Sequence, residues 1–329
     1  MNPVLSVEGL TVNLVMRERS FDAISDLSLT VRSGEVLALV GESGSGKSMT
    51  ALAIMRLLPA VAAITGGAIR FAGRDLASES EADLRAIRGN RIGLIFQEPM
   101  TSLNPTMRAG LQVAEVLQLH KAMDAAAARR QVEELFALVR IPDPVRRFDD
   151  YPHQMSGGMR QRVMIALALA CGPDLLIADE PTTALDVTTQ AQILDTFRDL
   201  QAETGTATIL ITHDLAVVAE TADRVAVMYA GRIVEEAPAA ELFRTPRHPY
   251  THGLLASIPS VAGRADTAER ARLAEITGMV PALWDLPQGC AFAPRCERSS
   301  DKCRQSRPPL VEHAAGHKAA CWHPAEGHP

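Results

Sequence analysis

The chain has 329 residues, of which 47% are hydrophobic and 22% charged, and its formal net charge is −6. This composition supports a sizeable core and excludes general disorder, and the acidic balance argues against a surface that coats nucleic acid, which requires a basic face. No apolar run approaches the ~20 residues of a membrane helix, and Met1-Asn2-Pro3 opens no secretory signal, so a soluble or peripheral protein in the cytoplasm is expected.

Val4 to Leu14 and Ile24 to Val31 read as strands, with Ser33-Gly34 as a turn. Phe21 lies between them, and an aromatic ring there suits stacking on an adenine face, an interaction of about 1–3 kcal/mol per base. The apolar run Val36–Val40 leads into Gly41-Glu42-Ser43-Gly44-Ser45-Gly46-Lys47-Ser48 and then into a helical Met49–Leu58. Strand, glycine loop and helix is the context of a phosphate-binding loop. Gly41, Gly44 and Gly46 let the backbone curl with its N–H groups inward around an anion, with Ser43 and Ser45 on the same loop. The helix N-terminus adds its own free amides and dipole. Lys47 suits the β- and γ-phosphates, and the Ser48 hydroxyl suits Mg²⁺. The expected ligand is a nucleoside triphosphate.

Gly66-Gly67 reads as a turn into a short strand through Phe71, Glu81–Arg88 as a short helix, and Arg91–Phe96 as a buried strand. Gln97 follows at that strand's carboxyl end, where ligands bind in parallel α/β sheets, and suits contact with Mg²⁺ and an attacking water. Residues 109–139 have helical periodicity and carry no catalytic residue types that stand out; Pro142, Pro144 and Pro152 end them. In Met155-Ser156-Gly157-Gly158-Met159-Arg160-Gln161-Arg162, Ser156 is a good N-cap and the paired glycines leave helix-end amides open to an anion. Together with Arg160 and Arg162 this reads as a second phosphate site, one that caps ATP held by another subunit.

Leu175 to Ala178 is an apolar strand that ends in Asp179 and Glu180. Asp179 suits Mg²⁺, and Glu180 suits polarising a water for in-line attack on the γ-phosphate. Asp186 suits a subunit contact, and residues 187–203 read as an amphipathic helix. Thr208–Ile211 is a further strand, after which His213 is placed to hydrogen-bond the γ-phosphate. Val225–Tyr229 and Ile233-Val234 form a hairpin that is expected to close the sheet.

The ordered series of phosphate loop, Gln97, Ser156-Gly157-Gly158, Asp179-Glu180, Asp186 and His213 resembles the nucleotide-binding domain of an ABC ATPase over roughly residues 4–236, with Met155 and Met159 departing from the commonest signature. The stretch Gln97-Glu98-Pro99-Met100-Thr101-Ser102-Leu103-Asn104-Pro105 resembles the oligopeptide/dipeptide importer branch. The resemblance implies an α/β fold: a P-loop, RecA-like core over 1–98 and 152–236, a helical subdomain over 99–151, and a small irregular C-terminal extension over 237–329. It implies an ATP hydrolase that dimerises with a second cassette, in this branch usually a different subunit. Two transmembrane permeases and an extracytoplasmic substrate-binding protein would complete a peptide importer, with this chain peripheral on the cytoplasmic face of the inner membrane. Nickel chelates and glutathione are alternative cargoes. A soluble ABC ATPase of DNA repair or translation is the rival reading; the long coiled-coil insert or second cassette usual there is absent from this sequence.

The tail carries four of the five cysteines, Cys290, Cys296, Cys303 and Cys321, spaced C-x5-C-x6-C-x17-C. In a cytosolic protein such clustering points to metal ligands before disulfides. The spacing lacks the C-x2-C pairs of ordinary zinc sites. Four thiolates suit a [4Fe–4S] cluster, which some members of the branch are thought to carry; zinc and plain reduced or bridged cysteines remain alternatives. His313, His317, His323 and His328 read as a solvated tail, with His323 a weak ligand candidate, and Cys171 reads as buried.

Overall fold

The computed structural model describes residues 3–16, 19–96, 102–181, 190, 192–195, 197–198, 204–257 and 276–325. Strands β1 (Leu5–Met16), β2 (Arg19–Val31), β4 (Ala62–Phe71) and β5 (Arg74–Asp75) form an antiparallel sheet of order β2-β1-β4-β5. Leu5 and Val7 point into the core with the period of two that a half-buried strand requires. The phase slips before Leu10 and Val12, where the ladders to both neighbours shift register. Gly66 and Gly67 lie opposite this slip, inside β4 rather than at a turn before it. Gly67 has φ +85°, and a Cβ there would sit 2.5 Å from the Glu8 carbonyl oxygen. The glycine pair therefore marks a bulge, where a backbone approaches too closely for any side chain.

The second sheet has eight strands in the order β11-β12-β10-β9-β3-β8-β7-β6. Its parallel part comprises β3 (Val36–Val40), β6 (Ile92–Ile95), β7 (Leu175–Asp179), β8 (Ala207–Ile211) and β9 (Arg224–Tyr229). β3, β7, β8 and β9 are buried at every residue, as expected for strands covered on both faces. Leu37 and Leu39 face one side, in a core shared with the antiparallel sheet and helix α1 (Lys47–Ile54). On the opposite side, Leu176, Ala178 and Leu210 share a core with helices α3 (Ala109–Lys121), α4 (Ala125–Leu138) and α6 (Gly157–Leu169). The two shorter helices of this series are α2 (Glu81–Ile87) and α5 (Pro144–Arg147).

The hairpin of β9 and β10 (Arg232–Pro238) does not close the sheet. The tail adds β12 (His317–Ala319) antiparallel to β10 and β11 (Val311–Ala314) beyond it. Glu235 is fully buried on this seam and accepts hydrogen bonds from the amides of Arg247 (2.7 Å) and His248 (2.9 Å) and from His317 Nε2 (2.7 Å). Burial alone would raise its pKa, but these donors outweigh that cost and hold the carboxylate below its ordinary range. His317 is thus part of the interior, not of a solvated tail. Buried charge needs a partner, and its partner here lies 82 positions away in the sequence.

His248 is also buried, and its Nδ1 accepts the amide of Tyr250 at 3.1 Å. Burial holds its pKa down at about 4. As pH falls from the ordinary value near 6.5 towards 4, the unfolded chain takes up a proton that the folded chain refuses, so stability is lost across that window. The loss attributable to this group is roughly 3 kcal/mol. Thermal melting of wild type between pH 7 and pH 4.5 should fall more steeply than that of His248→Asn, which keeps an acceptor for Tyr250 but cannot be protonated.

Candidate functional site

The loop after β3 is shaped by backbone conformations that side chains tolerate poorly. Gly41 has φ +154°, and a Cβ there would meet the Met228 carbonyl oxygen at 2.3 Å; Gly46, at φ +104°, caps α1 in the left-handed region. Ser43 and Gly44 form the exposed tip of the loop, and Ser45 is buried. Lys47, only 6% exposed, donates from Nζ to the carbonyls of Gly41 (2.7 Å) and Glu42 (3.0 Å). Burial pushes its pKa down, and the carboxylates of Glu180, Asp179 and Glu42 oppose that shift.

Asp179 ends β7 and is buried, with Oδ1 lacking a hydrogen-bond partner among the described residues. Burial raises its pKa, and a hydrogen bond with Ser48 opposes the rise. A buried orphan oxygen beside a hydroxyl at a phosphate loop fits a Mg²⁺ site, because an oxygen-seeking cation would satisfy both. Glu180 follows in the left-handed region, at φ +49°, and its amide donates to the Ile211 carbonyl at 2.8 Å. The turn brings Glu180 Oε1 to 3.2 Å from His213 Nδ1. His213 is exposed, whereas the next residue, Asp214, caps helix α7 (Leu215–Thr221) and accepts from Gln190 at 3.0 Å. Lys47, Ser48, Asp179, Glu180 and His213 thus gather at the carboxyl ends of three adjacent strands.

Ser156 caps α6, its Oγ accepting the Met159 amide at 3.3 Å, and a Cβ at Gly157 would meet nothing within 4 Å. Gly157 is exposed at the helix tip and Gly158 is half-buried behind it. The arginines beside it make hydrogen bonds within the chain. Arg160 Nε donates to the Pro152 carbonyl at 2.6 Å, while the buried Arg162 donates to the Val139 carbonyl at 2.6 Å and to Gln192 Oε1 at 2.7 Å. Both arginines therefore bind groups of their own chain, Arg160 through Nε and Arg162 from a buried position. Arg162 ties α6 to the end of α4.

Phe21 lies within β2, and Trp284 of the tail meets its ring edge-on at 5.7 Å between centroids. Gln97 and Asp186 fall outside the described residues. Two tail side chains that nothing in the sequence marks, Tyr250 and Arg295, reach the phosphate loop at Glu42. They are more than 200 residues from it along the chain, and neither belongs to a motif, so no local signal could have found them.

The four tail cysteines line one small cavity, together with His248 and His323. Burial pushes the thiols of Cys290, Cys296 and Cys321 upward, that of Cys321 to about 11. Cys303 is buried beside Ser300. Among the described residues no group of three or more His, Cys, Asp or Glu side chains is arranged to hold a metal ion. The iron–sulfur expectation therefore meets thiols that share a space without forming a metal cage.

The meeting of a phosphate loop with carboxylates on one sheet edge defines a P-loop nucleoside triphosphatase. The ABC transporter family model matches residues 24–183, and the model for the oligopeptide/dipeptide transporter C-terminal region matches residues 234–303. The probable peptide ABC transporter ATP-binding protein y4tR of Sinorhizobium fredii is 52% identical over 97% of this chain and 94% of its own length. The dipeptide transport ATP-binding proteins DppD of Bacillus subtilis and of Escherichia coli are 49% and 46% identical, each over 98% of this chain and 95% and 97% of their own lengths. The ATP-binding cassette MJ0796, solved as a post-hydrolysis dimer with ADP and Pi, superposes with a TM-score of 0.66 at 29% identity, over 71% of this chain and 98% of that one. The chain belongs to the ATP-binding proteins of ABC transporters, in the branch with the oligopeptide/dipeptide C-terminal region, and it is an ATP hydrolase.

Replacing Arg162 with Met should leave the Val139 carbonyl and Gln192 without their donor. A buried hydrogen-bonding group stripped of a charged partner costs about 1–3 kcal/mol, so chemical denaturation should show a loss of that size in Arg162→Met, with a much smaller loss in the more exposed Arg160→Met.

Proposed function

We propose that this chain supplies the ATP-driven stroke of a di- or oligopeptide importer. The observation that carries the cargo class is similarity over nearly the whole chain, C-terminal region included, to proteins named for peptide and dipeptide transport. In this reading Phe21 stacks on the adenine, and the amides from Gly41 to Gly46, with Ser43 and Ser45, surround the phosphates. Lys47 contacts the β- and γ-phosphates. Ser48, Asp179 and Gln97 would hold Mg²⁺, which would supply positive charge to offset that of the triphosphate. Glu180 polarises the attacking water, with His213 Nδ1 beside its carboxylate, and His213 hydrogen-bonds the γ-phosphate.

Ser156, Gly157 and Gly158 cap the ATP of a second cassette, with Asp186 at the contact between them. The open helix tip supports this reading, since an N-terminus with free amides is an anion site in want of an anion. The dimeric state of the similar cassette MJ0796 supports it too. The second cassette is a related but different subunit. The domain limits are 1–98 and 152–236 for the core, 99–151 for the helical part that meets two permeases, and 237–329 for the extension. Peptide reaches the permeases from an extracytoplasmic binding protein, and the chain works at the cytoplasmic face of the inner membrane.

Glu180→Gln should retain ATP binding while hydrolysis drops by about 10²–10⁴-fold, the usual contribution of a general base. Equal turnover of wild type and variant, measured by phosphate release in the assembled transporter, would remove Glu180 from the mechanism.

A second reading concerns the cysteines. Their shared cavity supports a [4Fe–4S] cluster on Cys290, Cys296, Cys303 and Cys321, and the lack of a preformed cage weighs against it. Protein prepared without oxygen should be brown with a band near ~400 nm that Cys290→Ser/Cys296→Ser abolishes; a colourless, iron-free wild type ends this reading.

A further inference from the structure

The residue after the first glycine of the phosphate loop, Glu42, is held by the C-terminal region at every polar group that faces away from Lys47. Its amide donates to Tyr250 Oη at 2.8 Å. Its carboxylate takes a bidentate pair from Arg295, Nη1 to Oε2 at 2.6 Å and Nη2 to Oε1 at 3.0 Å. Its carbonyl accepts from Lys47. The backbone bend that starts the anion cradle is therefore gripped from outside by two side chains more than 200 positions downstream.

Both grips are rigid. Tyr250 is fully buried, its ring 4.7 Å from that of Tyr229 and 5.4 Å from that of Phe292. Burial raises its hydroxyl pKa far above the ordinary value, so it remains a neutral phenol. Its oxygen accepts the Glu42 amide. The Arg295 side chain is 4% exposed, and the tail's own carbonyls hold it from behind: Nε donates to Thr277 at 3.0 Å and Nη2 to Ile276 at 3.2 Å. Planar bidentate pairing fixes a carboxylate in orientation as well as in charge.

Two consequences follow for a triphosphate bound to the loop. With its amide turned outward to Tyr250, Glu42 sets the direction in which the chain enters the curl, and the later amides inherit that direction. The Glu42 carboxylate is also a negative charge on a loop built for anions. Paired with Arg295 it is neutralised and held aside; unpaired, it would repel the phosphates. We propose that Tyr250 and Arg295 are positioning residues of the ATPase site, acting through Glu42 to preset the phosphate loop, so that the C-terminal region is a working part of the nucleotide site. The proposal rests on the loop being the ATP site.

The test uses the full-length chain in the assembled transporter, with Mg-ATP as the probe and steady-state hydrolysis and thermal melting as readouts. Tyr250→Phe keeps the ring and loses only the acceptor; KM for ATP should rise roughly three- to tenfold, the worth of one hydrogen bond, with kcat within about twofold. Arg295→Met should raise KM by at least as much. Adding Glu42→Gln to Arg295→Met should restore most of the affinity, because the repelling charge is gone; a role confined to holding the tail in place predicts no such rescue. An unchanged KM in both single variants, or additive losses in the double variant, overturns the proposal. Lys47→Ala separates this failure from a failure of the site itself: if it binds ATP normally, the loop is not the ATP site, and if it loses ATP while Tyr250→Phe and Arg295→Met do not, only the positioning role is wrong.

Discussion

Burying the ammonium group of Lys47 constrains everything around it. A buried cation without partners would sooner lose its proton than stay charged. Here two loop carbonyls accept from it, and the carboxylates of Glu42, Asp179 and Glu180 oppose its deprotonation. Glu42 lies on the same loop, whereas Asp179 and Glu180 lie more than 130 residues away, and the sheet brings them to the level of the loop. The register does so: Leu39 pairs with Ile211, and Ile211 with Asp179, so β3, β8 and β7 end side by side.

The turn after β7 shows how the same edge acquires its chemistry. Glu180 adopts a left-handed conformation that costs a side chain of this kind about 1–3 kcal/mol, and the hydrogen bond from its amide to Ile211 helps to hold it. The result is two consecutive carboxylates in different environments. Asp179 is buried against Ser48 with one oxygen free for a cation, and Glu180 is partly exposed and paired with His213. One strand end thereby places a buried acid beside a partly exposed one.

The C-terminal region is part of the same construction. Its hairpin covers the edge that β10 would otherwise expose, and it buries Glu235 between two backbone amides and His317. The aromatic group formed by Tyr229, Tyr250 and Phe292 continues the core from the parallel sheet into the tail. The cysteine cavity and the clamp on Glu42 share the short turn Ala293–Arg295, which Cys296 follows directly.

Local chemistry alone determined a good deal. Glycine spacing after an apolar run specified a phosphate loop, because only glycine reaches the backbone angles found at Gly41 and Gly46. Ser156 announced its helix through the acceptor it offers a free amide, and continuous apolar runs announced the buried parallel strands. The misreadings arose where a residue's role depends on something distant in the chain. Gly66-Gly67 resembles a turn until β1 lies against it, and His317 resembles a solvent-facing residue until Glu235 meets it. Tyr250 and Arg295 carried no signal at all. The sequence by itself determined which segments bend, cap and bury, since those preferences reside in each residue and its neighbours. Only the tertiary structure decided which charge is neutralised and by what, since a buried ion's partner is chosen by proximity in space, and that proximity exists only after the sheet has formed.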